Sequence, residues 1–365
     1  MSRLPELVGQ EAAEAQFMTA WEGGRLAHAW LLSGPRGIGK ATLARRIAAL
    51  VLGRPAGQGS LLGAGPGGTG GRVEPDPDHP AVAQVTAGSH PDLRLLTPGV
   101  NPKTNKQRDE IVIDDVREAI HFMAMTPAQG GWRVVIVDAA DEMNINAANA
   151  LLKVLEEPPP RALLLLVAHR PARLPATIRS RCRGLTLRPL PEAILEHLLA
   201  ARAEQPDSGI AAADLRFLVR LGEGSVGRAL DLARLGGVDI YRQLVDLLAA
   251  LPGLDPGQAY AFAEKVTRHP EGLRIAGDLL EGWVARLAST GARGADPAAS
   301  FPGAPGEAEA ARRLLAAAPL DRWVGVWEKI SHLLGRARAV HLDPRQCLVN
   351  AFLDLDTVAR GGRPG

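Results

Sequence analysis

A glycine-rich segment that ends in a lysine is the first part of the sequence with residue types suited to chemistry. It follows four apolar residues, 29–32, which predict a buried strand. Glycines at this spacing let backbone N–H groups surround phosphate oxygens at the start of a helix, and the lysine neutralises their charge. The pattern GxxxxGK therefore predicts a phosphate-binding loop, which consists of Gly34, Pro35, Arg36, Gly37, Ile38, Gly39 and Lys40.

The next position departs from this pattern. The motif ends in a serine or threonine whose hydroxyl holds Mg²⁺, but here the residue is Ala41. Thr42 does not take its place, because one residue along a helix turns the side chain by about 100°. The sequence predicts a phosphate loop with no metal site and puts magnesium-dependent hydrolysis in doubt. It leaves open whether ATP or ADP occupies the loop.

A strand, a helix and a second strand are predicted further along the chain. Apolar runs at 134–137 and 163–167 predict two buried parallel strands. Between them, apolar residues recur on one helix face: Ile145, Ala148, Leu152 and Leu155. Asn144 or Asn146 is the expected cap, and three prolines at 158–160 end the helix.

Polar residues follow both of these strands. Asp138 comes directly after the first strand, and a loop after the second carries Ser180-Arg181-Cys182. We expect this loop near the carboxyl edge of the sheet, where α/β proteins place their ligand sites. Any α/β protein has such units, so the pattern alone does not define a function.

The residues of this region resemble a known family. The segments LLKVLEEPP at 151–159 and RPARLPATIRSRC at 170–182 are similar to the clamp-loader branch of the AAA+ family. The resemblance is strongest over 26–40 and 111–190. It implies an α/β AAA+ P-loop domain with a parallel sheet flanked by helices, a small helical lid and an all-α C-terminal collar domain. The expected boundaries are 1–190, 191–237 and 238–365.

The resemblance also implies roles for single residues. Asp138 matches the Walker B aspartate of the family. Ala139 follows it, where active members have a glutamate that orients the attacking water. Arg181 matches an arginine finger that acts on the ATP of a neighbouring subunit. Arg228, within a segment that resembles the second sensor, is expected near nucleotide, or else it is only an arginine at a helix start. The losses at Ala41 and Ala139 imply a subunit that does not turn over ATP.

The implied partners are motor subunits of the gamma/tau type and a delta subunit in a hetero-oligomer, and through that complex the sliding clamp and primed DNA. No membrane partner is expected. A formal net charge of +2 argues against a strongly basic DNA-binding module. The lack of a long apolar run predicts a soluble, cytoplasmic protein.

The sequence leaves two rival functions open. In the first, the chain is a motor-type ATPase that uses Lys40 and Asp138, with Thr42 or Asp141 in compensation. In the second, it is a nucleotide-regulated binding module outside replication.

The glycine- and proline-rich stretch 53–88 is predicted to be a flexible insert. In the family, this region commonly carries a zinc module held by cysteines. The only cysteines here are Cys182 and Cys347, so no zinc is expected.

Overall fold

The computed structural model describes residues 4–53, 71–99, 108, 110–129, 131–205, 208–339 and 342–362. The chain forms two compact units, residues 1–190 and 191–365. The first boundary of the predicted domains coincides with the division between these units. The further division of the second unit at 237/238 stays a prediction.

The first unit is a parallel sheet with helices on both faces. Its strands are β1 (Ala29–Ser33), β2 (Leu93–Leu96), β3 (Arg133–Asp138), β4 (Ala162–Ala168) and β5 (Arg183–Thr186), in the spatial order β2-β3-β4-β1-β5. Its helices are α1 (Glu11–Glu22), α2 (Lys40–Leu52), α3 (Pro80–Ala87), α4 (Ile113–Ala124), α5 (Ile145–Glu156) and α6 (Ala176–Arg179). The predicted P-loop α/β fold is confirmed.

Burial on both faces explains the apolar strand sequences. Every residue of β4 is buried, as expected for a central strand of a covered parallel sheet. Successive residues point to opposite faces. Leu163 and Leu165 therefore join the core under α1, α2 and α3, whereas Leu164 and Leu166 join the core under α4, α5 and α6.

One detail of the predicted helix α5 is wrong, and its expected cap is confirmed. Ile145 was expected on the buried face of α5, but it is 66% exposed. The helix instead buries a face centred on Leu151 and Val154, because these residues recur at helical spacing with the two alanines before them. The cap of this helix is Asn144, whose Oδ1 accepts a hydrogen bond from Ala147 N at 2.9 Å.

The predicted flexible insert is partly ordered. Residues 80–87 form α3, whose Ala81, Val82 and Val85 are buried against the core under α2. The prediction of a flexible stretch is therefore wrong for this part, because a short apolar face is enough to dock one helix. Residues 54–70 of the insert lie outside the described residues.

The second unit is helical. Its elements are α7 (Glu192–Ala203), α8 (Leu215–Gly222), α9 (Val226–Arg234), α10 (Gly237–Ala249), α11 (Pro256–Thr267), α12 (Gly272–Arg293), α13 (Pro297–Ser300), α14 (Glu307–Ala317), α15 (Leu320–Ala339) and α16 (Pro344–Ala359). One contiguous apolar core runs through it, from Leu195 to Ala359. None of the helices within the described ranges is both long and apolar enough to span a bilayer.

A buried carboxylate joins several segments of this unit. Glu307, at the start of α14, accepts hydrogen bonds from the Tyr241 hydroxyl and, at 3.1 Å, from the Trp283 indole N–H. The backbone N–H groups of Gly303 and Ala304 donate to its other oxygen, both at 2.9 Å. A buried carboxylate is tolerated when its acceptor sites are filled in this way, so Glu307 is explained as a structural group.

Candidate functional site

The phosphate loop connects the carboxyl end of β1 to the start of α2. Three of its glycines have positive φ: Gly34 at 142°, Gly37 at 78° and Gly39 at 100°. A Cβ atom on Gly34 would lie 2.6 Å from both Leu187 O and Ile38 Cδ1. Only glycine suits such a conformation and such close approach, so the loop has the backbone shape that the sequence predicts.

Lys40 is the charged residue of this loop, and its side chain is only 3% exposed. Its ammonium donates hydrogen bonds to the carbonyl oxygens of Gly34, at 2.7 Å, and Pro35. Burial lowers the pKa of Lys40 to about 8, although the nearby carboxylates of Asp141 and Asp138 oppose that shift. The structure thus brings the lysine and the two carboxylates together at the carboxyl edge of the sheet.

The first turn of α2 and the end of β3 provide few groups for a metal. Residue 41 has no hydroxyl, and Ala139, which is 7% exposed with φ 67°, has no carboxylate. The carboxylate of Asp141 is already engaged and is poorly placed to substitute for these missing groups. Its two oxygens accept hydrogen bonds from His169 N at 2.9 Å and Arg170 N at 2.8 Å. The glycine cradle fits a phosphate, whereas the donor set for Mg²⁺ lacks the usual hydroxyl.

Sequence reasoning missed one residue at this edge. His169 directly follows β4, as Asp138 ends β3, so the rule that polar residues after buried strands meet at one edge would have found it. Burial lowers the pKa of His169, and the nearby Lys40 ammonium lowers it further. His169 is therefore a neutral polar group beside the phosphate loop.

Arg181 does not lie at this edge, so the expected position of its loop is wrong. Strand β5 runs parallel to β1, with Arg183 opposite Trp30, and Arg181 precedes β5 by two residues. It therefore lies at the amino edge of the sheet. The five residues of β1 separate this edge from the phosphate loop, which corresponds to about 16 Å. The error arose because residues 169–182, which include α6, return the chain to the amino edge before β5 begins.

The neighbours of Arg181 hold its segment in place. Ile178 is fully buried, and the half-buried Cys182 packs against the same core. Burial raises the pKa of the Cys182 thiol to about 12, so the thiol is neutral and unreactive. The Ser180 hydroxyl donates to Thr177 O at 3.2 Å. The Ser-Arg-Cys triplet thus presents an arginine, 38% exposed, between anchored residues.

The side chains of His28 and Arg228 make structural contacts. His28 Nε2 lies 3.1 Å from the carbonyl oxygen of Leu155, just before β1 and thus also at the amino edge. Arg228 lies in the second unit, in the first turn of α9, and its Nη1 donates to Glu223 at 2.8 Å. Glu223 also binds Arg286 at 2.8 Å, so its carboxylate is shared by two arginines. These contacts favour the structural interpretation of Arg228.

The parallel sheet, the glycine loop and the following helical unit define a P-loop protein of the AAA+ clamp-loader class. A family model described as DNA polymerase III, delta subunit, matches residues 9–191. The chain belongs to that family, which confirms the predicted resemblance.

Curated relatives agree with this assignment. DNA polymerase III subunit delta' of Pseudomonas aeruginosa is 38% identical over 237 residues, 64% of this chain and 63% of the relative. Subunit delta' of Escherichia coli is 38% identical over 148 residues, 40% of this chain and 41% of the relative. Subunit tau of Escherichia coli is 30% identical over 71% of this chain and 37% of the relative. The matches thus span less than two thirds of these relatives.

A solved structure of a DNA polymerase III gamma subunit-related protein from Thermotoga maritima aligns over 94% of this chain and 100% of its own. Its sequence identity is 17%, and its TM-score is 0.40.

Proposed function

We propose that this chain is a cytoplasmic clamp-loader subunit of the delta-prime type. It does not hydrolyse ATP itself, and it presents Arg181 to the ATP of an adjacent motor subunit of the gamma/tau type. Together with these subunits and a delta subunit, it takes part in loading the sliding clamp onto primed DNA. The family and the delta' relatives support this general role.

The single observation that carries the finer proposal is the placement of the two charged groups. Lys40 follows β1 at the carboxyl edge, whereas Arg181 precedes β5 at the amino edge. Arg181 is therefore too far from its own phosphate loop to reach a phosphate bound there. An exposed arginine on the opposite edge is suited to a phosphate that another subunit brings to it.

The chemistry of such an arginine is electrostatic. The transferred phosphoryl group spreads negative charge over its oxygens, and a guanidinium placed against them stabilises that charge. For fingers supplied by another subunit, this effect is worth about 10³–10⁵ in rate. Charge stabilisation of this kind needs no proton transfer at Arg181.

The same chain is poorly equipped to hydrolyse ATP at its own loop. The hydroxyl at 41 and the carboxylate at 139 are both missing, and Lys40 is engaged by Gly34 O and Pro35 O. A nucleotide bound there would supply phosphates to the loop N–H groups, but the residues that hold Mg²⁺ and orient water in related sites are incomplete. We infer a structural role for this loop.

The test is the clamp- and DNA-stimulated ATPase of a reconstituted loader that contains Arg181→Ala. We expect the ATP hydrolysis rate at the neighbouring site to fall by about 10³-fold or more. The rate of the whole loader should then fall by the amount that this site contributes. Arg179→Ala is the matched control, because it removes an exposed arginine two residues away on α6. An unchanged rate with Arg181→Ala would contradict the finger assignment.

The motor-type rival retains one favourable observation, namely the intact glycine cradle with Lys40. It predicts magnesium-dependent turnover by the isolated chain that is lost in Lys40→Ala. Our proposal predicts equal background rates for both proteins. The rival outside replication would require that the chain does not assemble with clamp-loader subunits.

A further inference from the structure

Two contacts hold the guanidinium of Arg181. Its Nη1 donates to the carbonyl oxygen of Thr177 in α6 at 3.0 Å, and its Nη2 lies 2.9 Å from Oε1 of Glu156. Glu156 is the last residue of α5 and is 52% exposed. Each terminal nitrogen of the guanidinium thus has one fixed partner, and these partners come from two different helices.

The position of Glu156 is unfavourable for a carboxylate without a cation nearby. The last turn of a helix carries partial negative charge on its free carbonyl groups, which repels an acidic side chain. Arg181 supplies the compensating charge, and the packing of Ile178 and Leu155 in one core keeps α6 beside the end of α5. The fold therefore brings this pair together through buried contacts.

An exposed ion pair of this kind contributes little stability, so it does not lock Arg181 in place. It does narrow the range of orientations that the long Arg181 side chain adopts. The guanidinium is also planar and pre-organised, so less conformational entropy is lost for each hydrogen bond that it forms. A guanidinium has five N–H donors. The hydrogen bond to Thr177 uses one of these donors, and the ion pair with Glu156 leaves further N–H groups to bind an anion.

We propose that Glu156 is a positioning residue for Arg181, and that it favours the orientation in which the guanidinium meets the phosphate of a neighbouring subunit. This inference rests on the proposed function of Arg181. Glu156 does not touch the phosphate. It acts by reducing the reorientation that Arg181 needs when the neighbour's transition state forms.

The experiment uses the complete reconstituted loader with clamp and primed DNA. The Arg181-dependent turnover is the difference between the native loader and the loader with Arg181→Ala. We expect Glu156→Ala to lower the kcat of this component about tenfold, with the KM for ATP unchanged, because a misplaced catalytic group costs rate rather than substrate binding. Glu156→Gln keeps an acceptor oxygen and should recover part of the rate.

The matched control is Glu157→Ala, which removes the next glutamate at the same helix end and should leave the rate unchanged. In the Arg181→Ala background, Glu156→Ala should have no further effect on turnover. Equal melting temperatures and equal assembly, measured by co-elution, separate positioning from damage to α5.

The outcomes distinguish the two proposals. If Arg181→Ala has no effect, the finger itself is wrong. If Arg181→Ala lowers turnover but Glu156→Ala leaves it unchanged, only the positioning role of Glu156 is wrong. A higher rate with Glu156→Ala would also overturn it, because Glu156 would then restrain Arg181 rather than orient it.

Discussion

The two edges of the sheet in the first unit differ in what they retain. At the carboxyl edge, the glycine loop and Lys40 are present, but Ala41 and Ala139 replace the groups that hold Mg²⁺ and orient water. At the amino edge, Arg181 is exposed and held by Glu156 and Thr177. The carboxyl edge keeps the shape of a nucleotide site but lacks two of its functional groups. The amino edge presents an arginine that keeps its functional group.

If the proposed function of Arg181 is correct, this difference means that a P-loop fold can be kept for its structure while its function moves to another surface. The lysine at the carboxyl edge donates to loop carbonyl groups, whereas the arginine at the amino edge is exposed and keeps N–H donors for a phosphate from outside. Variants at both edges test whether the carboxyl edge is structural and the amino edge functional.

The largest expected effect concerns the shape of the phosphate loop. Gly34→Ala should lower the free energy of unfolding by about 2–3 kcal/mol, because the new Cβ meets Leu187 O at a φ of 142°. Gly88→Ala, at a positive φ with open space around it, should cost only about 1 kcal/mol. Urea denaturation measures both values. Equal costs would show that close packing of the loop does not matter for folding.

The pH dependence of stability tests the burial of Lys40. Its pKa is about 8 in the folded chain against an ordinary 10.5, so the unfolded chain binds more protons between these values. The contribution of Lys40 to the free energy of unfolding therefore rises as the pH increases from 8 to 10.5, by about 3 kcal/mol. Lys40→Met should remove this rise. Lys153→Met, an exposed lysine on α5, is the control, and equal pH slopes in the two variants would contradict the prediction.

Asp141 tests whether a carboxylate at the carboxyl edge compensates for Ala139. Asp141→Asn should cost about 1–2 kcal/mol of stability, because two charge-assisted hydrogen bonds from the backbone of 169 and 170 weaken. It should leave the ATPase of the assembled loader unchanged. A loss of turnover without a loss of stability would instead support the motor-type rival.

The smallest expected effect is on the stability of the Arg181 variant. Arg181→Ala should change the free energy of unfolding by less than about 1 kcal/mol, because its ion pair is exposed. Arg133→Ala should cost about 3 kcal/mol, since Arg133 is 6% exposed and pairs with the buried Asp92. Thermal melting compares the two. A large loss with Arg181→Ala would indicate a structural arginine.

The local patterns of the first unit were predictable from the sequence. The strand predicted at 134–137 is β3, the strand at 163–167 is β4, and the phosphate loop has the predicted glycine conformations. These features depend on neighbours in the sequence, namely apolar runs, capping residues and glycines at fixed spacing. Such short-range causes are visible without a structure.

The features that depend on distant segments were not predictable. The position of Arg181 required the strand order, because only the pairing of β5 with β1 places it at the amino edge. The exposed Ile145 and the docked α3 depend on which surface another helix covers. The contact of Glu156 with Arg181 joins residues 25 positions apart in the sequence, and no pattern of spacing indicates it.

The central claim is that this chain serves the ATP of a neighbour and not its own. The most direct test measures clamp- and DNA-stimulated ATP hydrolysis by the assembled loader that contains the native chain, Lys40→Met or Arg181→Ala. We predict that the loader with Lys40→Met keeps the native rate, whereas the loader with Arg181→Ala loses the share of one site. A loss of turnover with Lys40→Met, together with a native rate for Arg181→Ala, would contradict the account.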